Sequence, residues 1–201
     1  MSMYPFAPSP DAACNETTFA FWEKVFNDEE IEKIIEIGES QYKMQAAKTA
    51  GEEINQTSDG KARKSQVSWI ELTSESQFIY DRIRDIVTLL NGKFFQFDLY
   101  GFVEHIQYTL YDGENSHYTW HVDKGITNAS PRKLSVVIQL SDPSEYDGGN
   151  LELLYGDQPD RAKKAKGMMY VFPSYLLHRV TPITSGKRRS LVVWLSGPKF
   201  R

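Results

Sequence analysis

The run Leu134-Ser135-Val136-Val137-Ile138-Gln139-Leu140-Ser141 is followed at once by Asp142-Pro143. Leu134, Val136, Ile138 and Leu140 fall at every second position, with Ser135, Val137, Gln139 and Ser141 between them. Side chains of a strand alternate between its two faces, so a period of two ended by a turn pair reads as one short strand. Upstream, Ile106, Tyr108 and Leu110 alternate with Gln107, Thr109 and Tyr111, and Asp112-Gly113 closes the run. Downstream, residues 150–155, 167–172 and 188–196 supply further strands, separated by Pro173 and Ser185-Gly186 and preceded by Gly148-Gly149. Short strands at this spacing predict a mostly β core over 94–201, a sandwich or jelly roll.

Residues 1–93 read differently. Asn27 followed by Glu30 is a capping box, and Ile31, Ile34, Ile35 and Ile37 give the apolar stripe of a helix. A strand is predicted over 66–72 and a second amphipathic helix over 76–90, ended by Asn91-Gly92. The helices are expected on the outer face of one sheet. Between them, residues 46–64 are polar and carry Gly51, Asn55, Asp59 and Gly60, which predicts a long flexible loop and a candidate lid. The 201 residues suit a single domain, and 40% hydrophobic content is enough to bury a core.

Charge and cysteine content exclude several classes. Lys and Arg total 23 against 27 Asp and Glu, so neither nucleic acid nor an anionic membrane is the expected partner. No apolar run is long enough to span a bilayer, and residues 1–13 lack the pattern of a signal peptide. Cys14 stands alone, so no intrachain disulfide forms, and a reducing, cytoplasmic setting is expected.

The chemistry concentrates in Tyr118-Thr119-Trp120-His121-Val122-Asp123. On a strand His121 and Asp123 share a face and can grip one metal ion from one side. His178, 57 residues on, offers a third ligand from another strand. Two His and one carboxylate form the facial triad of non-haem Fe(II) oxygenases, which leaves coordination positions open. His117 is a poor fourth candidate, since four residues of strand set it about 13 Å from His121 at ~3.3 Å per residue. His117 and His105 therefore read as structural. Arg188 and Ser190 share a strand face ten and twelve residues after His178. An arginine and a hydroxyl presented together make a carboxylate clamp.

In order, Tyr111-Asp112-Gly113, Trp120-His121-Val122-Asp123, Leu134-Ser135, Leu140-Ser141-Asp142-Pro143, Tyr146-Asp147-Gly148-Gly149-Asn150-Leu151, His178-Arg179-Val180-Thr181-Pro182 and Arg188-Arg189-Ser190 resemble the 2-oxoglutarate/Fe(II) oxygenases, in their prolyl 4-hydroxylase-like, PKHD-type group. The resemblance spans roughly residues 19–196. It implies a double-stranded β-helix, cupin-like, with helices packed on one sheet. It implies Fe(II) on His121, Asp123 and His178, with O2 as co-reactant and ascorbate as accessory reductant. It places the distal carboxylate of 2-oxoglutarate on Arg188 and Tyr111, with Ser190, Gln139 and Leu151 around the cosubstrate. Trp120, Tyr118, Trp69 and Lys124 are candidates for the substrate side. Lys124 stands where many relatives have Asn, and many have Phe near Gln139.

The implied reaction is hydroxylation of an unactivated C–H bond, first of all in a prolyl residue of a peptide or protein, as 2-oxoglutarate becomes succinate and CO2. A free amino acid or another protein residue is the alternative within the same chemistry. Nucleic-acid demethylases of the superfamily carry a second arginine six residues after the clamp, where this chain has Trp194. A cupin-like metalloenzyme without 2-oxoglutarate would not need Arg188 and Ser190, and a binding module without chemistry would not need all three ligands.

Overall fold

A computed structural model of the protein describes residues 17–41, 44–47, 62–124 and 132–199. In chain order the strands are Ala20–Trp22 (β1), Gln45–Ala46 (β2), Arg63–Lys64 (β3), Gln66–Ile70 (β4), Gly101–Phe102 (β5), Ile106–Asp112 (β6) and His117–His121 (β7). Then follow Arg132–Gln139 (β8), Tyr146–Gly148 (β9), Leu151–Leu154 (β10), Asp160–Arg161 (β11), Met169–Pro173 (β12), Leu177–Val180 (β13) and Ile183–Ser196 (β14). Among the described residues the α-helices are Asp28–Glu36 (α1) and Gln77–Leu90 (α2). The proposed lid falls mostly outside the described residues; its described ends supply β2 and β3.

The strands form two sheets. The larger runs β1-β12-β8-β14-β6-β4-β2, with β5 and β9 also paired to β14, and the smaller runs β11-β10-β13-β7-β3. This is the double-stranded β-helix. Every strand pairing within it is antiparallel.

The central strands are buried on both faces, and their alternation sorts residues between two interiors. Leu134, Val136 and Ile138 of β8, Ile106, Tyr108 and Leu110 of β6, and Leu191, Val193 and Leu195 of β14 share one cluster with the helices. α1 contributes Ile31 and Ile34, and α2 contributes Ile79, Ile83, Ile86, Val87 and Leu90. Val137 faces the other way and packs with Leu151, Leu153, Tyr170 and Phe172. The apolar face leaves water by packing against two amphipathic helices, and the remaining positions are free to build a site between the sheets.

Local rules place the helices. Asn27 Oδ1 accepts from the Glu30 amide at 2.8 Å, while Glu30 Oε2 accepts from the Asn27 amide at 2.9 Å. That satisfies two amides the first turn leaves unpaired. α2 ends at Leu90 as expected, but Asn91-Gly92 does not close the helical path. A π-helical turn over Asn91–Phe95 carries the chain past Gly92, and Gln96 closes it in the left-handed region at φ 53°. The Asn91 side chain explains the extension: its Nδ2 donates to the Phe97 carbonyl and its Oδ1 accepts from the Phe97 amide. Among the described residues, no helix is long and apolar enough to cross a membrane.

Candidate metal centre and cosubstrate site

β7 and β13 lie side by side with His121 directly opposite His178. That register brings together two residues far apart in the chain. β7 ends at His121, and Asp123 lies just past the strand end, where its carboxylate turns back toward both rings. One ligand atom from each of the three lies within 4.8 Å of the others. Asp123 Oδ1 is 3.6 Å from His121 Nε2, and Oδ2 is 3.4 Å from His178 Nε2.

Both imidazoles are aimed in the same way. His121 Nδ1 lies 2.7 Å from the Thr119 carbonyl and His178 Nδ1 lies 2.8 Å from the Leu176 carbonyl. A carbonyl only accepts, so each Nδ1 carries a proton and each Nε2 faces the centre. Burial pushes the second protonation of His178 down, but the Asp123 carboxylate outweighs it and holds His178 above its ordinary value, so a metal ion would displace that proton. Ser135 of β8 donates to Asp123 Oδ2 at 2.7 Å, and Ser174 Oγ lies 3.0 Å from the Ser135 hydroxyl. Outer hydrogen bonds of this kind set ligand orientation and basicity. Burial pushes the Asp123 carboxyl up, but His178, His121 and the Ser135 bond outweigh it and hold it well below the usual carboxylate range. Burial and the His178 charge push His121 down to about 4. An ionised carboxylate and a neutral imidazole are the ligand forms that a divalent cation takes. Two imidazoles and one carboxylate, converging on one side, fit Fe(II).

The triad opens into a cavity of about 300 Å3, at the small end of the range for small-molecule sites. Arg188 lies in its wall and is only 1% exposed. Its Nη2 donates to Gln139 Oε1 at 3.0 Å and its Nη1 reaches Ser190 Oγ at 3.4 Å, while Nε has no hydrogen-bond partner among the described residues. No carboxylate among the described residues pairs with it. A buried guanidinium without a counter-charge is costly, and an incoming carboxylate would relieve that cost. The Tyr111 ring lies 5.2 Å from the guanidinium carbon, on the neighbouring strand. Gly149 makes room: at φ 57° a side chain there is strained, and a Cβ would sit 3.1 Å from Arg188 Cδ.

The cavity gathers most of the residues singled out in the sequence. His121, Asp123, His178, Arg188, Tyr111, Ser190, Leu151, Tyr118 and Trp69 all line it. Gln139 does not reach the cavity wall and touches Arg188 from behind. Lys124 is exposed outside it, with its backbone amide bonded to the Ser174 carbonyl. Trp120 is not brought there either: its ring lies 4.5 Å from the Arg179 guanidinium carbon.

Strand alternation turns Trp120 away from the face that His121 occupies, and a β-bulge brings Tyr118 back to that face. His178 pairs with His121, but Val180 pairs with Tyr118, so β7 spends three residues where β13 spends two. An extra residue flips the parity locally. Tyr118 therefore joins His121 on the inner face, and their rings stack at 3.5 Å and 17°. Trp120 is left facing out. Strand parity alone puts Tyr118 and Trp120 together, and the bulge separates them.

Several lining residues carried no signal in the sequence. Arg63, Gln107 and Arg132 also line the cavity, as does Trp194, read in the sequence only as the residue that replaces a second arginine. The Ser135 bond to Asp123 was equally silent, although a serine in a strand of Leu, Val and Ile is a hint that a polar partner lies across from it.

Residues 106–196 match the sequence profile described as the 2OG-Fe(II) oxygenase superfamily. That segment holds the triad, Tyr111 and Arg188. Among curated relatives, a PKHD-type hydroxylase of Hyphomonas neptunium is 38% identical over 87 residues, covering 41% of this chain and 39% of the relative. One from Nitrosomonas europaea is 33% identical over 94 residues, covering 44% and 41%. The chain thus spans about two fifths of the length of the relatives it matches. A solved Trichoplax adhaerens prolyl hydroxylase, in complex with a hypoxia inducible factor peptide fragment, superposes with a TM-score of 0.74 at 16% identity. The alignment covers 90% of this chain and 84% of that one. At that identity the likeness is one of fold.

Proposed function

We propose that this chain is an Fe(II)- and 2-oxoglutarate-dependent dioxygenase that hydroxylates an unactivated C–H bond, with a prolyl residue of a peptide or protein as substrate. The carrying observation is Arg188, a buried cation without a carboxylate partner among the described residues, in the wall of the cavity that holds His121, Asp123 and His178. The prolyl assignment draws on the PKHD-type relatives and on the peptide-bound prolyl hydroxylase whose fold this chain shares.

His121, Asp123 and His178 would hold the iron on one side and leave its other side toward the cavity. Arg188 would bind the distal carboxylate of 2-oxoglutarate, held in aim by Gln139 and Ser190, with Tyr111 beside it. Leu151, Val137 and Val180 present apolar walls that keep water from the reacting carbon. When bound, Fe(II) and 2-oxoglutarate supply O2 activation through oxidative decarboxylation to succinate and CO2. Ascorbate fits as an accessory reductant, and the lone Cys14 agrees with a reducing cytoplasmic setting.

The test is succinate formation from 2-oxoglutarate with Fe(II), with mass spectrometry of prolyl peptides for a gain of one oxygen. Arg188→Met should raise the 2-oxoglutarate needed for half-maximal turnover at least tenfold, since charge-assisted hydrogen bonds contribute ~1.5–3 kcal/mol. Without 2-oxoglutarate the same variant should melt no lower than wild type, because it removes an uncompensated buried charge. No 2-oxoglutarate consumption by wild type would sink the reading. An unchanged requirement in the variant would take Arg188 out of it.

A further inference from the structure

Arg63 is a second buried arginine in the same cavity. It is 8% exposed, on β3 at the edge of the smaller sheet, directly opposite Tyr118. Its guanidinium carbon lies 4.6 Å from the centre of the Tyr118 ring, and that ring stacks on His121. Its Nε donates to Ser65 Oγ at 2.9 Å. Among the described residues, no other side chain hydrogen-bonds it and no carboxylate pairs with it.

The charge lining the cavity is lopsided. Arg63, Arg132 and Arg188 line it, and Asp123 is the one lining carboxylate among the described residues. Arg132 is neutralised from outside by Glu104, with Nε 2.7 Å from Oε1. On the reading above, the doubly negative cosubstrate balances Arg188 and one iron charge, and Asp123 balances the other. One positive charge then remains, and it sits on Arg63. A cavity of about 300 Å3 holds the cosubstrate and only the reacting end of a substrate. Whatever charge meets Arg63 therefore lies close to the carbon that is oxidised.

We propose that Arg63 is a specificity-determining residue that binds a carboxylate of the primary substrate, so that the preferred substrate is acidic next to the reacting residue. The inference rests on the assignment of Arg188 to 2-oxoglutarate. The carboxylate belongs either to a Glu or Asp side chain flanking the reacting residue or to the free α-carboxyl of that residue. A planar guanidinium with both amino groups uncommitted suits either in a bidentate grip.

The test is binding, read from the fluorescence of Trp69 and Trp194, which line the cavity. Protein is loaded with Mn(II) and the inert 2-oxoglutarate analogue N-oxalylglycine. The probes are acetylated prolyl tripeptide amides with Glu or Gln on either side of proline, and N-acetyl amino acids, proline included, against their amides. At least one acidic probe should bind tenfold or more tighter than its neutral isostere. Which pair shows the gap tells the side chain from the α-carboxyl. Arg63→Gln should remove the gap by weakening only the acidic probe, Arg63→Lys should restore part of it, and neither should shift N-oxalylglycine affinity. Equal binding of acidic and neutral probes, no binding of any carboxylate, or a gap that survives Arg63→Gln would overturn the proposal. So would an Arg63→Gln variant that loses N-oxalylglycine instead. Succinate release by wild type without substrate is measured alongside, so failure of the oxygenase reading appears there and not in the gap.

Discussion

The two faces of β14 share one backbone and little else. Toward the helices it presents Leu191, Val193 and Leu195, all buried among Ile, Leu and Val. Toward the smaller sheet it presents Arg188, Ser190, Val192 and Trp194, which line the cavity. The first face is stabilised by removing apolar surface from water, at about 25 cal/mol per Å2. The second keeps a buried cation, and across the cavity a buried carboxylate beside two imidazoles. Such groups contribute little to stability before a ligand arrives. The helix layer carries the fold, which frees the inner face to hold chemistry that would otherwise destabilise it.

That contrast can be broken from either side. The largest effect is expected from Asp123→Ala, which should abolish both metal binding and succinate formation. Metal analysis and a succinate assay on folded protein check it together, and wild-type turnover would remove Asp123 from the centre. Ile138→Ala acts on the opposite face of β8 and should cost about 2–5 kcal/mol in denaturant unfolding, the usual range for such a buried truncation. Its 2-oxoglutarate requirement should stay unchanged where the variant is still folded. A variant that keeps its stability would show that the helix layer is not the main source of it.

Ser135→Ala sharpens the contrast, because Ser135 belongs to β8 but faces the metal centre. Loss of an outer hydrogen bond of this kind typically lowers metal affinity 10–100-fold. Titration with Mn(II) reads it, and equal affinities would mean that Asp123 is held by its two histidine neighbours alone.

The smallest effect belongs to the rim of the helix layer. Glu39 accepts from Tyr108 Oη and from Arg189 Nε, both at 2.8 Å. Burial pushes its carboxyl up, but the Arg189 and Tyr108 bonds outweigh it and leave it below its ordinary value. A carboxylate lowered by folding stabilises above its unfolded pKa and loses that contribution as pH falls through the folded value. Glu39→Gln should therefore cost under ~1 kcal/mol at neutral pH, since the pair is partly exposed. The difference from wild type should vanish as the pH drops below the carboxylate range. Urea unfolding at neutral and acidic pH measures it, and a difference that grows in acid would reverse the sign.

Much of the architecture was legible because it is written in local rules. A period of two marked β6, β8 and β14, and the Asn27–Glu30 capping box marked α1. The π-helical turn after α2 was not legible, because Asn91 is tied to Phe97 and a side-chain bond to the following loop leaves no mark in helical periodicity. At the site, His121, Asp123 and Arg188 stood out by residue type and spacing. Trp120 and Tyr118 both read as substrate-side candidates, and the bulge that parts them depends on how β13 pairs with β7.

By itself, then, the sequence determined which residues are able to do chemistry and which strands carry them, since strand period and turn preference follow from covalent geometry. The tertiary structure decided which of them meet. It set His178 opposite His121 by register, aimed Asp123 through Ser135, turned Tyr118 inward and Trp120 outward, and placed Arg63 in a cavity already holding Arg188. Those contacts join residues far apart in the chain, and they exist only once the two sheets and the helix layer have packed.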